Sequence, residues 1–100
     1  WDVGNVKEMA GLFINCYKFN SYIGDWKVNN VIDMSTMFFN CFEYNQDLSK
    51  WNVSAVKDTQ FMFQNCYVFD QDISKWNIDT HKTESNWMFS GCGIRNIYKF

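Results

Sequence analysis

An α/β solenoid is the fold that this sequence predicts, and three observations predict it. Trp1, Trp26, Trp51 and Trp76 stand 25 residues apart, and self-similarity at a fixed period of this size is the mark of stacked repeats. Apolar residues within each repeat recur at offsets of three and four, the spacing of one helical face. A short stretch after each cysteine alternates apolar and polar side chains, the spacing of a half-buried strand. Stacked in register, such units make a coil with short parallel strands on its inner face and short helices on its outer face.

The register needs no gaps. Residues 26–50 and 51–75 agree at 12 of 25 positions, among them Trp26/Trp51, Val28/Val53, Val31/Val56, Met37/Met62, Phe38/Phe63, Asn40/Asn65 and Cys41/Cys66. A single repeat domain over 1–100 follows, divided as 1–25, 26–50, 51–75 and 76–100. The last repeat takes one extra residue before Cys92, carries the polar run THKTESN and ends in GIRNIYKF, which reads as a terminal cap over the final apolar layer. Because the chain starts without Met and in phase with its repeat, the sequence reads as a fragment of a longer chain.

Val6, Met9, Leu12, Phe13 and Cys16, like Val31, Met34, Met37, Phe38 and Cys41, predict a helix from about Val6 to Ile14 with one buried face. Asn5, Asn30 and Thr80 stand at its N-cap, with Glu8 and Asp33 in the first turn. Asn15, Asn40, Asn65 and Gly91 share one column, and Asn and Gly tolerate the left-handed conformation that ends a helix. A strand is expected near Gln71–Ser74. Strands stack about 4.8 Å apart and helices about 8–10 Å, so the coil should curve with its strands inward.

The buried seam is expected to contain Trp1, Trp26, Trp51, Trp76, Phe13, Phe38, Phe63, Phe89, Cys16, Cys41, Cys66 and Cys92. With 47% hydrophobic and 20% aromatic residues, there is enough apolar area for a core in so short a chain. Nine Lys and Arg against 11 Asp and Glu, net charge -2, leave no basic stripe for nucleic acid. No apolar run approaches the roughly 20 residues that span a bilayer.

Four cysteines, one per repeat, raise the question of zinc or disulfides. A straight column cannot surround one ion at the ~2.3 Å that tetrahedral zinc needs. Bridges between adjacent coils are sterically allowed, and reduced thiols acting as small core residues are the alternative. Asn45-Gln46-Asp47 and Asp70-Gln71-Asp72 could offer oxygens to calcium, or bond the backbone of their own or the next coil. His81 is the only histidine, with no nucleophile at a recognisable spacing. No catalytic, cofactor or metal residue is assigned. Positions that vary on a constant frame are the partner-binding candidates: Lys18, Tyr22, Gln46, Lys50, Gln71 and Lys75. Tyr17, Phe42 and Tyr67 form an aromatic stripe beside them.

The segments WDVGNVKEMAGLFINCYKFN, YNQDLSKWNVSAV and MFQNCYVFDQDISKWNI resemble the 25- to 26-residue repeat of bacterial surface proteins, also called the BspA-like or mycoplasma-type lipoprotein repeat. That resemblance implies a leucine-rich-repeat-like right-handed coil without catalytic activity. It also implies a place at the cell surface or outside the cell, with a virion as the alternative, since large DNA viruses encode similar arrays. The expected function is a non-catalytic scaffold for protein–protein recognition or adhesion. The alternative is a structural or assembly component of a virion or envelope. Partners are then other proteins at a host surface or in an assembly, without nucleic acid and without membrane insertion by this segment.

The inward and outward assignments make a test. Trp51→Ala should cost about 3–5 kcal/mol of stability by denaturant unfolding, and Lys50→Ala no more than ~0.5 kcal/mol.

Overall fold

Between residues 9 and 16 the backbone N–H groups divide into two sets. Those of Leu12, Ile14 and Cys16 donate three residues back, to the carbonyls of Met9, Gly11 and Phe13. Those of Met9, Gly11, Phe13 and Asn15 leave the repeat and donate to Asp33, Ser35, Met37 and Phe39, at 2.8–2.9 Å. The scheme recurs one repeat later, where Met34, Thr36, Phe38 and Asn40 donate to Asp58, Gln60, Met62 and Gln64. It recurs again where Thr59, Phe61, Phe63 and Asn65 donate to Glu84, Asn86, Met88 and Ser90. A computed structural model, describing residues 2–100, thus contains four layers, residues 2–25, 26–50, 51–75 and 76–100, each hydrogen-bonded to the next.

These layers are built from turns, which corrects the predicted α/β solenoid. Among the described residues the one helix is a three-residue 3-10 turn at Asn96–Tyr98. Pairing of the strand type is confined to the isolated parallel bridges Glu8–Asp33, Asp33–Asp58 and Asp58–Glu84. Among the described residues there is no sheet, no helix from Val6 to Ile14 and no strand at Gln71–Ser74. An inner strand face, an outer helix face and the curvature argued from them are therefore absent. The molecule measures 30 × 29 × 19 Å.

The physical reason lies in φ. Gly11, Asn15, Thr36, Asn40, Phe61, Asn65, Trp87 and Gly91 all have φ between 53° and 71°. Each is the third residue of a turn closed by a bond three residues back, the position where type II turns require positive φ. A left-handed residue every fourth position cannot belong to an α-helix. The turns nevertheless return most of the expected apolar side chains inward at offsets of three and four, but Leu12, expected on the same face, is exposed. Val31, Met34, Met37, Phe38 and Cys41 are all buried. Positive φ was also foreseen at Asn15, Asn40, Asn65 and Gly91, but no helix ends there, and Asn5, Asn30 and Thr80 cap none. Asn30 instead donates its amide to the Gly4 carbonyl in the layer before.

Side chains repeat the layer spacing. Phe13, Phe38, Phe63 and Phe89 stack with centroids 5.7, 5.3 and 6.0 Å apart. Phe19, Tyr44 and Phe69 form a second column at 5.3 and 6.2 Å, and Trp51, Trp76 and Phe100 a third at 6.1 and 6.3 Å. Offset ring pairs of this kind add about 0.5–1.5 kcal/mol each beyond the area they bury. The indoles of Trp51 and Trp76, each at the start of its layer, donate to the Ile23 and Leu48 carbonyls 28 residues back. An amide ladder runs alongside, Asn40 donating to Asn15 and Asn65 to Asn40, each at 2.9 Å. At the ladder's end a Cβ on Gly91 would come within 2.5 Å of Asn65 Oδ1.

Of the expected seam, Trp51, Trp76, Phe38, Phe63, Cys41 and Cys66 are buried, while Phe13, Phe89, Cys16 and Cys92 in the outer layers and Trp26 at the start of the second layer are half-buried. Trp1 lies outside the described residues. The extra residue of the last repeat enlarges the corner at Asp79, whose carbonyl accepts from both Lys82 and Thr83. Register returns by Arg95, whose N–H meets Asp70, and Phe100 completes the layer against Trp76.

Among the described residues, one buried side-chain polar atom is unmet. Tyr44 has no exposed surface, and its hydroxyl has no hydrogen-bond partner, although the residues above and below it in the column are phenylalanines. An unmet buried hydroxyl costs about 1–3 kcal/mol. Tyr44→Phe should therefore raise stability by about 1 kcal/mol or more, read as a higher midpoint in denaturant with unchanged slope.

Candidate functional site

The corner that follows each cysteine carries the most regular exposed feature. Tyr17, Phe42 and Tyr67 stack with centroids 5.0 Å apart at both steps and planes inclined by 16° and 17°. The cysteines before two of the rings are anchored: the thiols of Cys41 and Cys66 donate to the Phe13 and Phe38 carbonyls at 3.1 and 3.0 Å. Tyr17 is 51% exposed and Tyr67 56%. The column stops at Gly93, where a Cβ would fall onto the Tyr67 carbonyl oxygen. Lys18 and Val68, next in sequence to the two tyrosines, are exposed.

The structure divides the six partner-binding candidates. Lys18, Tyr22, Lys50 and Lys75 are exposed, whereas Gln46 and Gln71 are half-buried. Gln46 donates to the Asn20 carbonyl, and Gln71 to the Asn45 carbonyl and side chain, so both serve the stack. Tyr22 lies against Gly24, where a Cβ would overlap its ring. Lys50 stands 3.9 Å from Asp25, both well exposed, a pair worth little in water. Lys50 also borders an open groove of about 500 Å³ with Asp25, Trp26, Lys27 and Asn52. Sequence reasoning passed over Trp87, which is 66% exposed, because it falls in the irregular last repeat.

Several of the oxygens weighed for calcium accept hydrogen bonds within the stack. Asn20 Oδ1 accepts from the Asn45 N–H and Asn45 Oδ1 from the Asp70 N–H. Asp47 Oδ1 accepts from the Ser49 N–H, and Asp72 Oδ1 from the Ser74 N–H and hydroxyl. The Ser74 hydroxyl bond, first among the causes, holds the Asp72 carboxyl below its ordinary range. Among the described residues no three of His, Cys, Asp and Glu come together where they could hold a metal ion. His81 is exposed, with its backbone N–H on Asp79 Oδ1. No helix among the described residues is long and apolar enough to cross a membrane.

All four cysteines are free thiols. Burial, with Cys16 nearby, pushes the Cys41 thiol from 9.0 up to about 12. Burial also raises Cys66 and Cys92. Since the thiolate is the reactive form, burial disfavours reaction at these three thiols.

A group whose folded pKa is raised holds its proton longer in the folded state. Its contribution to stability is full below the unfolded value and is lost as pH rises toward the folded one. Unfolding free energy should therefore fall between pH 9.0 and about 12, and Cys41→Ser should make that fall shallower in denaturant titrations across the range.

Comparison with curated proteins and with solved structures gives no match. Residues 1–98 match the family described as Mycoplasma protein of unknown function, DUF285. The repeat register, the layers it builds and this match along nearly the whole length lead to one conclusion: the chain belongs to that family.

Proposed function

We propose that the chain is a non-catalytic scaffold for protein–protein recognition or adhesion at a cell surface, of the BspA-like kind that its sequence resembles. The observation that carries this reading is the column Tyr17–Phe42–Tyr67, in which the half-buried Phe42 holds two exposed tyrosines in place. Tyrosine is enriched at protein interfaces and among the residues that dominate their energetics. A ring already held by its neighbours loses little freedom when a partner covers it, which lowers the cost of association. Rings stacked face to face offer a partner their edges and the two tyrosine hydroxyls rather than open faces. That suits a protein surface with apolar groups and acceptors set among them. Lys18 adds a charge at one end of the column.

A photo-reactive amino acid in place of the exposed Val68, introduced into the protein in the cells that make it, should crosslink to one discrete protein. Tyr67→Ser combined with Lys18→Ala should reduce capture of that protein tenfold or more, about 1.4 kcal/mol. Lys75→Ala should leave it unchanged. Undiminished capture by the double variant, with its melting temperature preserved, would exclude the column as the binding surface.

A further inference from the structure

Asn52-Val53-Ser54 is the one place in the chain where an asparagine stands two residues before a serine or threonine, the spacing at which an asparagine amide accepts a saccharide. Three other serines close the same kind of turn with an aspartate two residues back. Asp33, Asp47 and Asp72 accept from the backbone N–H groups of Ser35, Ser49 and Ser74 at 2.8–2.9 Å. At residue 52 the turn is kept, Asn52 Oδ1 accepting from the Ser54 N–H at 3.1 Å, but an amide replaces the carboxylate. Of these four turns, this one presents a side-chain nitrogen that can be joined to a sugar.

The local structure holds both polar residues of the triplet outward. Val53 between them is buried and its N–H is held by Asn77 Oδ1, while Asn52 and Ser54 are exposed on either side. Elsewhere asparagine amides are spent as donors within the stack: Asn30 to Gly4, Asn40 to Asn15, Asn65 to Asn40 and Asn77 to Asn52. Among the described residues nothing accepts from Asn52 Nδ2 and nothing bonds the Ser54 hydroxyl. The hydroxyls of Ser35 and Ser74, by contrast, are turned back onto their aspartates. Asn52 Oδ1 accepts twice, from Ser54 and from Asn77, which draws charge onto the oxygen and makes the amide N–H easier to deprotonate. Asn52 also borders the open groove of about 500 Å³ beside Lys27 and Lys50, which leaves space for a first sugar ring outside the packed layers.

We propose that Asn52 is an N-glycosylation site, its Nδ2 taking a saccharide from a glycosyl diphosphate donor on a transferase, with the free Ser54 hydroxyl as the group the transferase recognises. The bond from Nδ2 to the anomeric carbon forms as the bond from that carbon to the phosphate oxygen breaks. The diphosphate leaves with the electron pair, one amide proton passes to a base of the transferase, and nothing is oxidised or reduced. The site stands apart from the tyrosine column, and either can fail without the other.

Trypsin cuts after Lys50 and Lys57, so residues 51–57 come away as one peptide that carries the whole triplet. Mass spectrometry of this peptide, from the protein isolated from the cells that make it, should show an added saccharide that an amidase removes while converting the asparagine to aspartate. A single added sugar marks a nucleotide-linked donor, and a preassembled oligosaccharide a lipid-linked one. Ser54→Thr should keep the addition and Ser54→Ala should lose it. Because the Ser54 hydroxyl bonds nothing in the fold, the sugar-free Ser54→Ala protein should melt where the sugar-free parent does. Asn52→Gln should lose the addition too, but it also disturbs the two bonds to Asn52 Oδ1, so the serine variants are the ones that decide. A bare 51–57 peptide from the parent chain would overturn the proposal. So would a saccharide that persists on this peptide in Ser54→Ala.

Discussion

The division of backbone N–H groups between their own turn and the next layer is the constraint from which the rest of this structure follows. Alternate amides can leave a layer only if the chain between them reverses its twist. That demands a left-handed residue at the third place of each turn. Gly and Asn meet the demand cheaply at Gly11, Asn15, Asn40, Asn65 and Gly91. Thr36, Phe61 and Trp87 meet it at a cost of roughly 1–2 kcal/mol each. The cross-layer bonds on either side offset that strain, because a buried amide without a partner would cost as much or more.

Once the backbone is locked in this way, the aromatic, asparagine and cysteine side chains lie over their counterparts in the neighbouring layer, and column chemistry replaces ordinary core packing. Rings stack on rings, amides chain to amides, and cysteine thiols bond carbonyls of the layer before. The same geometry generates the exposed tyrosine column as an outward extension of the cysteine column. A surface of this kind is rigid because its support is the backbone ladder itself, and rigid positioning is what recognition by a few aromatic anchors needs.

Much of this was legible in the sequence. The tryptophan period set the layers, the offsets of three and four set the buried face, and the Asn/Gly column marked four of the left-handed residues. Helix and strand were misread for a specific reason: a run of turns with alternate cross-layer bonds returns side chains inward at nearly the helical offsets. The residues that would have betrayed it, Thr36, Phe61 and Trp87, are not types that signal positive φ. Gln46 and Gln71 looked like outward-facing recognition residues because a polar side chain carries no mark of whether it bonds a partner or the carbonyl one layer back. Tyr17, Phe42 and Tyr67 were visible as a stripe, but their spacing and exposure depend on a stack that sequence alone does not measure.

The contact between Asn65 and Gly91 carries an evolutionary consequence. Room for a side chain at 91 depends on what residue 65 points toward it, and the Asn40 amide is useful only while Asn15 is there to accept it. A change tolerated in one layer alters which changes are tolerated in the layers beside it, so neighbouring positions drift together as linked sets. Divergence in such a chain is expected to proceed by column, with whole columns exchanging one chemistry for another while the backbone beneath them stays the same.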